Sequence, residues 1–212
     1  MTMPARRVDA SETQPYRMSF TSGGLYLNEC VVVATSYLEI KDWDRTVSHL
    51  LESDVLSLPK AKSKRRILRE IAVRLETLDE EELEFLVDAH RQEQALLLWI
   101  SLCRGYRLIR EVAVELVRER YLSYRLDLQA SDFDIFVDRK AEWDDMLDSV
   151  SASTRERFRQ TVFKTMREVG ILNDDHRIQT TYVTPSLRRL IMAKCPADLL
   201  VFPGAVIEGG KS

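Results

Sequence analysis

At 212 residues the chain has room for one large domain or two small ones. With 45% hydrophobic and 31% charged residues, its make-up is that of a soluble globular protein rather than a disordered or disulfide-built one. A formal net charge of −3 excludes the uniformly basic surface by which composition alone can mark a nucleic-acid binder.

Leu, Glu, Arg and Ala dominate the sequence, which favours helix. Residues 1–18 carry Pro4 and Pro15 among mixed polar residues and are expected to be flexible. Thr21 and Ser22 can cap a helix through Leu25, Leu27, Val31, Val32 and Tyr37, and a second short helix is expected over TVSHLLESD. After Pro59 the periodicity predicts a long amphipathic helix. Ile67, Leu68, Ile71, Leu75 and Leu78 lie on its core side, and Lys62, Arg65, Arg66 and Arg69 on the other. Asp79 with Glu82 opens the next helix. Gln94 to Cys103 is almost wholly apolar and reads as a central, buried helix. Helix continues from Arg110 to Tyr124, and Ser131 is the expected cap of SDFDIFVDRKAEW.

The stretch from Ser153 to Leu190 is the most informative. Ser153 and Glu156 have the spacing of a capping box. Phe158, Val162, Thr165, Met166 and Val169 follow on one face, and Gly170 stands where a left-handed C-cap is wanted. Arg157, Gln160, Lys164 and Arg167 fall on the opposite face, and such side chains reach phosphates and base edges. Asn173-Asp174-Asp175 signals a turn. The β-branched run Ile178 to Val183 suits a short strand or wing, and Thr184-Pro185 opens a last helix through Leu187, Leu190 and Ile191. Helix, turn, extended pair, helix is the order of a winged-helix-like module. A solvated helix in an all-α protein would carry the same basic face. The expected division is a flexible segment 1–18, a helical domain 19–150, a winged-helix-like unit 151–195 and a tail 196–212.

Charge is segregated along the chain. From Lys60 to Arg74 there are seven Lys or Arg against one acid, and from Glu76 to Glu93 eight acids against one Arg. From Asp127 to Asp148 there are eight acids against two bases, and from Ser151 to Cys195 nine bases against four acids. Such blocks present separate basic and acidic faces to partners, or pair with each other inside the fold.

Catalytic and metal-binding patterns fail on inspection. The closing AVIEGGKS has P-loop-like residues but no following helix to face a phosphate. His49, His90 and His176 lack metal-ligand spacing, and Cys30, Cys103 and Cys195 are scattered, as expected of reduced thiols. Asp132, Asp134 and Asp138 do not share one helical face and read as a solvated or partner-facing acidic surface. No catalytic residue, metal or cofactor is expected. The N-terminus lacks the apolar core of a signal peptide. The longest apolar run, Ala95 to Ile100, is far too short to cross a bilayer. A cytoplasmic protein without a membrane partner is expected.

Three segments are familiar in combination: FTSGGLYLNEC, REVAVELVRERYLSYRLDLQASDFDIFVDRKAEWDD and STRERFRQTVFKTMREVGIL. Together they resemble the BrxA family of BREX phage-defence systems, over a span from about Tyr16 to about Ile191. No catalytic motif defines this family, so the resemblance transfers no active site. It implies an all-helical protein shaped like the NusB antitermination factor. It also implies an electropositive groove for double-stranded DNA, and an accessory role beside the other BREX proteins.

The combined expectation is a mostly α-helical, NusB-like bundle with room for a small C-terminal winged-helix-like hairpin. Its function would be non-enzymatic binding of the DNA backbone through Lys62, Arg65, Arg66 and Arg69, and through Arg155, Arg157, Arg159, Lys164 and Arg167. Two other functions fit the same features: an adaptor docking proteins through its acidic and basic faces, and an RNA-binding factor by analogy with NusB.

Overall fold

A computed structural model describes residues 15–17, 23–53, 55–56 and 61–207, with the side chains of residues 61 and 62 excepted. Among these residues the chain is all-α, with no strand longer than a single bridge. It divides into two compact units, Leu25–Gly105 and a second formed by residues 1–24 with 106–212. The division falls after Gly105 rather than at the expected 150/151. The reason is that residues 130–148 pack and pair within the second unit.

In the unit Leu25–Gly105, five helices follow in order: α1 (Leu27–Ile40), α2 (Trp43–Glu52), α3 (Ala61–Leu75), α4 (Glu80–Asp88) and α5 (Arg91–Gly105). The expected caps Thr21 and Ser22 lie outside the described residues, and α1 instead opens after Tyr26, whose backbone is left-handed. Asp42 starts α2 by accepting the Arg45 N–H at 2.8 Å. Asp79 and Glu82 close the capping box of α4 as their spacing predicts. Glu82 also receives both guanidinium nitrogens of Arg104, at 2.7 and 2.8 Å, which ties α4 to α5 by a fork. From Ala95 to Cys103 every residue of α5 is buried, as an all-round apolar helix requires. The core side of α3 is Ile67, Leu68, Ile71 and Leu75, all buried.

The other unit has one continuous helical stretch: α6 (Arg107–Glu111), a π-helical segment Val112–Arg118, and α7 (Glu119–Leu122). The wider π turns keep Leu108, Ile109, Val112, Ala113 and Val117 all on the buried side. Then come α8 (Ala130–Ala141), the one-turn α9 (Asp145–Asp148), α10 (Ala152–Val169), α11 (Pro185–Lys194) and a 3₁₀ helix, Pro196–Val201. Residues 196–207 are not a tail. Leu199, Val201 and Phe202 are core residues, and Arg110 in α6 meets Asp198 at 3.0 Å in a buried ion pair. The rest of the expected tail, residues 208–212 with the GGKS of the P-loop-like string, lies outside the described residues.

At the other end, most of the segment 1–18 expected to be flexible also lies outside the described residues, but Tyr16 is buried. Its hydroxyl donates to Glu111 at 2.7 Å, and Arg107 stacks on its ring with the guanidinium carbon 4.4 Å from the centroid. Burial and the carboxylate beside it push the Tyr16 hydroxyl well above its ordinary range.

Candidate functional site

The basic helix α10 is capped by Ser151, whose hydroxyl accepts the Thr154 N–H at 3.3 Å, and not by Ser153. The expected capping box does not form, because Glu156 accepts from Gln160 at 3.1 Å instead of turning back to the helix start. The predicted apolar face is buried in full: Phe158, Val162, Thr165, Met166 and Val169. Gly170 closes the helix at φ 84°, a conformation that costs glycine nothing.

The basic residues of α10 separate into two sets. Arg155 donates to Asp138 at 2.6 Å and to the Leu147 carbonyl at 2.9 Å, and Arg159 pairs with Asp134. These two arginines are committed to fastening α10 to α8. The acidic block 127–148 is therefore partly neutralised inside the fold, and Asp134 and Asp138 are structural partners there. Arg157 is exposed and Arg167 half-buried, and neither guanidinium has a partner among the described residues. Lys164 is exposed and donates to the Gly23 carbonyl at 3.1 Å, with Glu168 at 3.6 Å. The chain at Gly23 and Gly24 thus runs over this part of α10. A Cβ at Gly24 would meet the Glu168 carboxylate at 2.6 Å, so a larger residue there would have to turn that side chain aside.

Beyond α10 the chain turns through Asn173 to His176 and comes back beside itself. The Gln179 N–H donates to the Ile171 carbonyl at 2.8 Å, and the Asn173 N–H to the Arg177 carbonyl at 3.0 Å. A third segment, which the sequence reading did not foresee, lies on the other side. The Ile178 N–H donates to Leu126 at 2.7 Å, and the Leu128 N–H to His176 at 2.9 Å. Residues 177–179 are thereby the middle of three short extended segments, paired through the bridges Asp127↔Arg177 and Leu172↔Ile178. Each pairing is one bridge, so the strand expected over Ile178–Val183 does not form. Its second half leaves both neighbours to reach the Thr184 cap, whose hydroxyl accepts the Leu187 N–H. The resulting order is long helix, short segment, α8, α10, short segment, turn, short segment. Apart from the one-turn α9, that is the chain order of a winged-helix unit.

In the unit Leu25–Gly105, Arg65, Arg66 and Arg69 are exposed on α3 and, with Glu70 and Val73, line an open hollow of about 360 Å³. Arg65 and Arg69 have no side-chain partner among the described residues. The Lys62 side chain lies outside the described residues. Lys64, which the sequence reading left out, donates to the carbonyls of Leu51 and Ser53 and so belongs to the fold. None of the three cysteines is bridged. Burial pushes the Cys30 thiol up to about 12, which keeps it protonated and unreactive. Among the described residues no helix is long and apolar enough to cross a membrane.

Fold and site together define an all-α protein with a basic helix, α10, in one compact unit and an arginine-lined hollow in the other. The BrxA family model matches residues 14–194, and the chain belongs to the BrxA family. It is 21% identical over 189 residues to the BREX protein BrxA of Escherichia coli O9:H4 (strain HS), covering 88% of this chain and 87% of that protein. A crystal structure of an uncharacterized protein from Magnetospirillum magneticum shares the fold. Its TM-score is 0.76 at 18% identity, over 89% of this chain and 96% of that one.

Proposed function

We propose that this chain is a non-enzymatic, cytoplasmic component of a BREX phage-defence system that binds double-stranded DNA through its phosphate backbone. The observation that carries this reading is the outward face of α10. Among the described residues Arg157 and Arg167 have no intramolecular partner there, while the neighbouring Arg155 and Arg159 pair with Asp138 and Asp134. Free guanidiniums on a helix seated as in a winged-helix unit suit phosphates and base edges. Family membership supplies the defence context. Most contacts would be to phosphate, so affinity should fall steeply with salt and depend little on sequence.

The test is fluorescence anisotropy of a labelled duplex at two salt concentrations, with wild type and the triple variant Arg157→Ala, Lys164→Ala, Arg167→Ala. Binding that weakens with salt and is lost in the variant is the expected result. Absence of binding at low salt would sink the proposal and leave α10 a solvated or protein-docking face.

A further inference from the structure

Trp143 is 89% exposed, although tryptophan is among the side chains that folding covers most. The local sequence leaves it bare. It precedes Asp144, whose side chain caps α9 by accepting the Leu147 N–H at 3.0 Å. An apolar residue just before such a cap ordinarily packs on the fourth residue of the helix. Here that fourth residue is Asp148, itself exposed, so the indole finds no apolar partner there. The same geometry sets Asp148 beside the ring, and its chain neighbours Glu142 and Asp145 are exposed acids as well. None of these three carboxylates has a side-chain partner among the described residues. On the preceding turn Arg139 is exposed, while Lys140 is held by Glu111 and Glu115. A protruding ring set mainly among acids repels a phosphate backbone and suits a cationic protein surface.

The α3 hollow has the complementary make-up. Arg65, Arg66 and Arg69 line it together with Val73, which is 38% exposed. Arg65 and Arg69 have no side-chain partner among the described residues. Glu70, the acid of that lining, lies 3.6 Å from the buried Arg74 and is itself largely covered. At about 360 Å³ the hollow is of the size that takes a small ring system. Guanidinium planes stack on an indole face and fork onto carboxylates. Tryptophan and arginine are also the side chains on which interface energy concentrates.

We propose that this hollow receives Trp143 of a second copy of the chain. The indole lies against the guanidiniums and Val73, and Glu142, Asp145 and Asp148 of that copy meet the arginines. Ring and hollow belong to different compact units of the chain, so the contact joins unlike surfaces. The hollow holds one occupant at a time, so a duplex lying on α3 and a second copy exclude each other. The inference is independent of the DNA reading.

The test is sedimentation equilibrium of the full chain over a range of concentrations, after nuclease treatment and a high-salt wash remove nucleic acid. At low salt wild type should rise above the monomer mass with concentration, and it should fall back at high salt. Two variants are compared: Trp143→Ala, and Arg65→Glu with Arg66→Glu and Arg69→Glu. Each should weaken association by about ten-fold or more. Mixed in equal amounts the two should associate, because one keeps the hollow and the other keeps the ring. Trp143→Gln and the single Arg69→Glu stand in for either variant if its circular dichroism departs from wild type. Wild type that stays monomeric once nucleic acid is gone overturns this inference and leaves the DNA reading standing. Association that either variant leaves unchanged overturns it, and so do folded variants that stay apart when mixed.

Discussion

Arg110 and Asp198 show what a single buried pair does in this molecule. Their side chains are 8% and 2% exposed and meet at 3.0 Å, and Arg110 also reaches the Ala197 carbonyl at 3.4 Å. The pair joins α6 to a 3₁₀ helix almost ninety residues later in the chain. Asp198→Ala would remove the carboxylate beside a guanidinium in a dry site, a change that costs about 3–5 kcal/mol. Arg110→Met with Asp198→Leu, which removes both charges and keeps volume, should cost much less. Chemical denaturation of wild type and the two variants checks this, and equal losses in both would show that packing and not charge holds the site. Nothing near Asp198 in sequence announces this partner, and the segment read as a tail. The local signals around Ser153 were also ambiguous. Ser151 and Ser153 both precede the helix, and only the positions of Thr154 and Gln160 decide which hydroxyl caps it. By contrast, Asp79 with Glu82 and Thr184 with Pro185 were legible because each motif is complete within a few residues.

Helix faces were legible because burial repeats every three or four residues. The apolar stripes of α3 and α10 and the all-round apolar α5 are where the periodicity puts them. Pairing between elements was not legible. The extended segment 126–128 meets residues 176–178 about fifty positions away, and no periodicity encodes that. The same holds for the clasp between α8 and α10, which pairs Arg155 with Asp138 and Arg159 with Asp134. The arginine side chains are each 22% exposed, against 66% for Asp138 and 46% for Asp134, so solvent screens both pairs on the carboxylate side. Arg155→Ala and Arg159→Ala should therefore lower stability by about 1 kcal/mol or less each. They should reduce duplex affinity less than Arg157→Ala or Arg167→Ala does. Melting curves alongside anisotropy measure both quantities. A larger affinity loss at Arg155 or Arg159 would mean that these side chains leave their aspartates to bind DNA.

On the scale of the whole chain, a net charge of −3 and a phosphate-binding role are compatible only if the acids and bases are sorted in space. The sorting is visible in each unit. Asp134 and Asp138 are matched by arginines of α10, Glu82 by Arg104 and Glu80 by Lys41. Among the described residues, Arg157 and Arg167 on α10 and Arg65 and Arg69 on α3 have no side-chain partner. Because the two faces belong to different compact units, a duplex that contacts both is held by the molecule as a whole, and one that contacts a single face is held by that unit alone. The salt dependence separates these cases. Each phosphate contact contributes about 0.9 to the slope of log affinity against log salt. The variant Arg65→Ala, Arg66→Ala, Arg69→Ala should lower that slope by about 2 to 3, and so should the α10 triple variant. Combining the two should remove nearly the sum if both faces grip one duplex independently. If the α3 variant leaves the slope unchanged while the α10 variant lowers it, the arginine hollow on α3 takes no part in holding the duplex. The winged-helix-like unit then carries the interaction, and the charge blocks on α3 and α4 serve contacts of another kind.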